Sequence, residues 1–295
     1  MTEIVERETN WVPLHAVEQR RLSEARLQAH YALQWLARVA RGYIPPQPDD
    51  NHTNLGWDAG MGGLITHPLR DGARLGLRLI DLTLIWHAGA GSQPSLFPLS
   101  GSTDAQARQR LSEHFAARGL DAQALDAPVP YEMPMHTIAK GAPYGAVGLT
   151  GALAELAAWF NNAAGSLGFI YDRMRERNWA ASPVRCWPHH FDIATLTTLT
   201  TLSARAADAA ASINAGLSPG DKYYDEPYFY VSIYPEPDPR MLPTLPTLGH
   251  WHERDFIAAV ARAESIVAAG NQQAATDHFL QAAIDAAIKV WMTGA

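Results

Sequence analysis

Apolar residues along the chain follow two spacings, and each spacing predicts an element. Over 13–41, Leu22, Ala25, Ala29, Leu33, Leu36 and Ala40 recur every third or fourth position, with Leu27, Tyr31 and Trp35 as a second row. That predicts a long helix covered on two sides, stopped by Gly42 and Pro45-Pro46-Gln47-Pro48. Leu149, Leu153, Leu156, Phe160, Ala163, Leu167, Ile170 and Met174 predict a second long helix over 149–177. Shorter helices are expected over 103–118, capped by Thr103 or Asp104 and ended by Gly119, and over 253–268 and 272–292.

Elsewhere the period is two. In "ARLGLRLIDLTLIWH", 73–87, Leu75, Leu77 and Leu79 alternate with Arg74, Gly76 and Arg78, and Leu82, Leu84 and Trp86 follow. This predicts strands with one wet face, and further strands are expected within 54–68, 184–199, 210–217 and 227–234. Segments 88–95 and 235–249 read as loops, and the proline-rich 127–138 as an edge strand or an extended segment. No repeat or composition break marks a linker. The expectation is one α+β domain over 1–295, a mainly antiparallel sheet packed by long helices.

Composition narrows the function. With 47% hydrophobic and 18% charged residues, the chain can build a full core and is not disordered. The net charge of −7 and the lack of a Lys/Arg run argue against nucleic acid as a partner. Arg20-Arg21 and Arg173, Arg175 and Arg177 fall on predicted helices as solvated faces. The N-terminal "MTEIVERETNW" lacks the apolar stretch of a signal peptide. No apolar run approaches the ~20 residues that span a bilayer. A cytoplasmic protein without a membrane partner is expected. The lone Cys186 excludes an internal disulfide and a cysteine-based zinc knuckle, and reads as a small buried apolar residue. No phosphate loop, serine elbow or dinucleotide fingerprint occurs, so no nucleotide cofactor is indicated.

Candidate chemistry concentrates in "RCWPHHFDIATL", 185–196. On an extended strand, His190 and Asp192 share one face and His189 takes the other. In "GHWHERD", 249–255, His250 and His252 likewise share a face. If the two pairs meet, three imidazoles and a carboxylate suit zinc or non-haem iron. The alternatives are a polar strand start and a helix start, with Glu253 and Asp255 favouring the helix dipole. The order His190-Phe191-Asp192, then His252 and Arg262, also resembles the facial triad of 2-oxoglutarate oxygenases. A helix after His252 argues against the jelly roll such enzymes need.

Three further groups stand out. Glu132 and His136 fall on one face of 127–138, fit for acid–base work or for a surface edge. Asn51, His52 and Trp57 lie in a loop after the first helix, where binding residues gather, or form an Asx-type turn. Tyr228, Tyr230 and Ser232 share a strand face opposite Phe229 and Val231 and offer flat rings with hydroxyl tips to a pocket.

"FDIATLT" followed by "PYFYVSIYPEP" resembles an uncharacterised bacterial family. Its members have a long N-terminal helix and an Asn-His-rich lead into a strand ending like "GGLITHP". An F-D-[IL]-A strand, a P-x-F-Y-x-x-x-Y-P-E-P strand and a C-terminal helix follow. The resemblance runs over about residues 22–292. It implies a shared fold and supplies no reaction. Phe191-Asp192 and the strand 228–237 look like family features, whereas His189, His190, His250 and His252 look like those of a narrower subgroup.

The chain is therefore expected to be a small-molecule enzyme with a His/Asp pocket. His190, Asp192, His250 and His252 would bind a metal or act as acid–base groups, with Glu132, His136 and Tyr230 beside them. The alternative is a non-catalytic ligand-binding protein with a Trp/Tyr-lined pocket, and a third class is a structural or interaction protein. Oligomeric state is left open.

Overall fold

The computed structural model describes residues 10–89, 91–199 and 211–294. Residues 1–9 and the first residue of the expected strand 210–217 lie outside the described residues. The helices are α1 (Gln19–Tyr43), α2 (Asp104–Ala116), α3 (Thr150–Glu176), α4 (Ala263–Val267) and α5 (Gln272–Gly294). The expected apolar stripe of α1 is buried throughout, from Leu22 to Ala40. Thr103 and Gln106 form a reciprocal capping box at the start of α2.

α1 begins six residues later than its periodicity suggests (Gln19 against residue 13). Residues 10–18 instead carry no regular secondary structure, and side chains of α3 and α5 satisfy part of their backbone, Glu155 accepting from the His15 N–H at 2.9 Å. The Asn162 amide of α3 pairs with both the N–H and C=O of Val12, each at 2.8 Å. Gln272 of α5 does the same for Leu14, again at 2.8 Å. These bonds replace those a first helical turn would make.

The fold is α+β with antiparallel sheets. The first sheet takes β1 (Gly56–Asp58), β2 (Gly63–Ile65), β3 (Arg74–Arg78), β4 (Thr83–His87) and β5 (Ser95–Pro98) in chain order. The leucine alternation over 73–87 slips phase between Leu79 and Leu82. That slip is a turn over Leu79–Asp81 with Leu82 left-handed at φ 53°. β5 lies at the end of a stretch expected to be loop.

The second sheet takes β6 (Ala180–Ala181), β7 (Arg185–Trp187), β8 (Asp192–Thr198), β9 (Ser212–Ser218), β10 (Tyr228–Tyr234), β11 (His250–His252) and β12 (Ala258–Arg262). Its order is β11-β12-β10-β9-β8-β6, with β7 also on β8. A bridge between Leu55 and Cys186 joins the two sheets at a seam. One face of the second sheet, with Ile193, Leu217, Phe229, Val231 and Ala259, is buried against α3 and α5. The other carries Asp192, Asn214, Tyr228, Tyr230, His250 and His252.

The expected helix 253–268 is corrected to a strand, β12, followed by the short α4. Ile257 to Ala261 is apolar at every position and buried throughout, because β10 and β11 flank it and both its faces are covered. Such a run carries no period that separates strand from helix. Segment 127–138 has no strand pairing: it bends at Pro130-Tyr131 and ends in a short 3-10 turn, Thr137–Lys140. No helix among the described residues is long and apolar enough to cross a membrane.

Candidate functional site

The stretch 184–199 is a hairpin, not one strand. Pro188 to Phe191 form the turn between β7 and β8, closed by a 2.8 Å bond from the Phe191 N–H to the Trp187 carbonyl. Phe191 sits left-handed at φ 58°, which costs about 1–2 kcal/mol for a residue with a side chain. Burial offsets that cost: its ring stacks on His30 of α1 at 5.4 Å and on Phe160 of α3 at 5.0 Å. His30 and Gln34, one turn apart on α1, both donate to the Pro188 carbonyl, at 2.9 and 3.1 Å. Burial lowers the His30 pKa to about 4, so its ring is neutral at pH 7.

The turn corrects the expected pairing of His190 with Asp192 on one strand face. His189 and His190 stand exposed at its tip with their rings 4.2 Å apart. Asp192 opens β8 with its carboxyl buried. Oδ2 accepts the Tyr230 hydroxyl at 2.6 Å, and Oδ1 is sealed from solvent without a partner. Burial raises the Asp192 pKa, while the Tyr230 bond and the imidazoles of His190 and His189 oppose the rise. Burial, then Asp192 itself, pushes the Tyr230 phenol well above its ordinary value.

Tyr230 reaches Asp192 from β10 across β9, and Gly216 makes this possible. Gly216 pairs with Tyr230 on one side and Ala194 on the other. A Cβ at 216 would come within 2.6 Å of the phenol oxygen. Asn214, one step along β9, donates to the same oxygen at 3.4 Å. It also lines a cleft of about 350 Å³ with Ser212, Ser232, Tyr234, Glu236 and Phe256.

His250 and His252 do share a face of β11, as expected. Both point at the Tyr224 hydroxyl, 2.9 Å from His250 Nε2 and 2.9 Å from His252 Nδ1. His252 Nε2 lies 2.6 Å from the Arg254 carbonyl, so Nε2 carries its proton and Nδ1 accepts from Tyr224. The Tyr224 oxygen is then free to accept from His250. Four strand spacings separate this group from Asp192, about 19 Å. Tyr224, Tyr228 and Tyr230 fill the gap, with ring centroids 4.9 and 6.2 Å apart. The four expected metal ligands, His190, Asp192, His250 and His252, therefore do not meet. Among the described residues no three His, Cys, Asp or Glu side chains gather to hold a metal ion. A strand does follow His252, contrary to expectation, yet the facial triad still does not form.

Glu132 and His136 are also apart. Glu132 is exposed, whereas His136 Nε2 lies 3.1 Å from Glu24 of α1. His136 Nδ1 accepts from the Ile138 N–H at 3.3 Å, which makes it the cap of a short turn. Cys186 is fully buried, and burial raises its thiol pKa, as an inert apolar residue requires.

Sequence reasoning missed His30, Gln34, Asn214, Gly216 and Tyr224. Arg26, His30 and Gln34 form a polar row at i+4 spacing on an otherwise apolar helix, a signal that was available. The chain matches no family model, no curated protein and no solved structure.

Proposed function

We propose that the protein is a small-molecule enzyme in which Asp192 is the acid–base group and Tyr230 its positioning partner. The observation that carries this is Asp192 Oδ1, a buried oxygen without a partner. Leaving such a group unmet costs about 1–3 kcal/mol, more when it is charged. A raised carboxyl pKa brings proton uptake and release closer to neutrality, where acid–base catalysis works best. Asn214 links the pair to a cleft whose Ser212, Ser232 and Glu236 suit a small polar substrate. A version using zinc or non-haem iron would rest on His250 and His252 without Asp192, and the acid–base role of Asp192 does not depend on a metal.

The second reading is a non-catalytic binding protein. The aromatic face formed by Tyr223, Tyr224, Tyr228, Tyr230 and Phe256 favours it. Thermal-shift screening of small polar metabolites separates the two, since a ligand of the folded state raises Tm. Each compound that raises Tm is then incubated with the wild type and with Asp192→Asn. Conversion by the wild type alone supports catalysis. Binding without conversion would leave only the second reading.

A further inference from the structure

A second polar group, which holds an arginine without a counterion, lies at the seam between the sheets. The Leu55–Cys186 bridge sets Arg185 opposite Gly56, and Gly56 pairs with Ile65 and Ile65 with Gly76. Two residues further along the same face stand Asn54, His67 and Arg74, side by side in that register. Glycine at 56 lets the Arg185 side chain cross toward them, since a Cβ there would come 2.9 Å from Nη1. His67 Nε2 lies 2.8 Å from Asn54 Oδ1, and the Asn54 amide donates to Asn51 Oδ1 at 3.1 Å. The amide orientation therefore makes His67 Nε2 a donor.

The charges at the seam are all of one sign. Arg26 and Arg38, half-buried like Arg185, each face an aspartate, at 3.2 and 3.3 Å. Arg185 has no hydrogen bond or ion pair among the described residues, and the charge that acts on it is another cation, Arg74. Burial and then Arg74 lower its pKa. Burial, Arg185 and Arg74 lower that of His67, with His52 adding to the effect and a bond to the Asn51 backbone opposing it. Arg74 stands exposed beside Arg185, and half-burying the Arg185 guanidinium next to a like charge without a counterion is unfavourable unless an anion supplies the missing charge.

We propose that Arg185, Arg74 and His67 form a binding site for a phosphate-class dianion. Two guanidinium groups on different strands match two negative charges, whereas a single carboxylate would leave one unmatched. The net charge of −7 and the compact cluster fit a small anion and not a polyanion. The site is independent of the Asp192 reading, because it is judged by binding alone.

Calorimetric titration of the whole chain with inorganic phosphate, and separately with glycerol phosphate, tests the site. Saturable binding weakened at least tenfold by both Arg74→Gln and Arg185→Gln is expected. Tighter binding of the ester would mark the anion as a substrate handle, and tighter binding of phosphate a free ion. Each variant should keep or raise the wild-type Tm, because each removes an unmatched charge. Sulfate stays a dianion over pH 6–8, so it isolates His67. Anion binding lifts the His67 pKa, and sulfate should bind more tightly as pH falls, a trend absent in His67→Gln. No saturable binding of either phosphate, or affinity unchanged in both arginine variants, would overturn the site.

Discussion

Two clusters on one face of the second sheet were both suggested by histidines, and they differ in one respect. At β11, the buried polar atoms of the Tyr224 group have partners: Tyr224 bonds both imidazoles and both ring nitrogens of His252 are engaged. At β8, Asp192 has one oxygen bound to Tyr230 and the other sealed from solvent without a partner. The cluster richer in ligand-type residues is thus the settled one, and the poorer cluster holds the unmet group. Counting histidines in a sequence measures chemical potential, but hydrogen-bond completion shows where it has been used up.

The largest test of this contrast is Asp192→Asn. If Asp192 is the acid–base group, turnover of any substrate found should fall about 10³-fold, or roughly 4 kcal/mol, with binding retained. Steady-state kinetics on the variant measures this, and full activity would place the chemistry elsewhere.

Next is the acid limb of stability, which probes what holds the Asp192 turn. His30 has a folded pKa of about 4 against an ordinary 6.5. Its folded state stays neutral while the unfolded state takes up a proton, so stability falls as pH drops through that window. At 1.36 kcal/mol per pKa unit the loss is about 3 kcal/mol. Chemical denaturation at pH 7 and pH 4 should show it, and His30→Gln should remove this part of the slope.

Gly216→Ala should then cost about 2 kcal/mol, because the new methyl displaces Tyr230 from Asp192. Unfolding midpoints report it, and a silent substitution would show that Tyr230 has room to move. The smallest effect is expected at the settled cluster. Tyr224→Phe should lose about 1 kcal/mol and leave turnover unchanged, and a larger loss of turnover than of stability would reverse the contrast.

Much of the fold was legible because burial on one side leaves a period. The stripes of α1 and α3 placed both helices, and the phase slip between Leu79 and Leu82 marked a turn that the alternation contained. Burial on both sides erased the period over Ile257–Ala261, and the strand there read as a helix. The site was legible in parts. Asp192 and Tyr230 were named and are bonded to each other, and His250 and His252 share their face. The turn at Pro188–Phe191 was not legible, since Phe191 takes a left-handed conformation sustained by long-range partners, His30 and Phe160 stacking on its ring. Nor could local pattern pair His136 with Glu24, 112 positions away in the chain.

The amide clasp on residues 10–18 has a consequence for synthesis. Leu14 is fastened by Gln272, 258 residues later. While the ribosome works, the early segment has its α3 anchor at Asn162 long before its α5 anchor exists. A nascent chain therefore carries this strip half-attached until α5 emerges, and docking of the last helix is the event that closes the first segment in place.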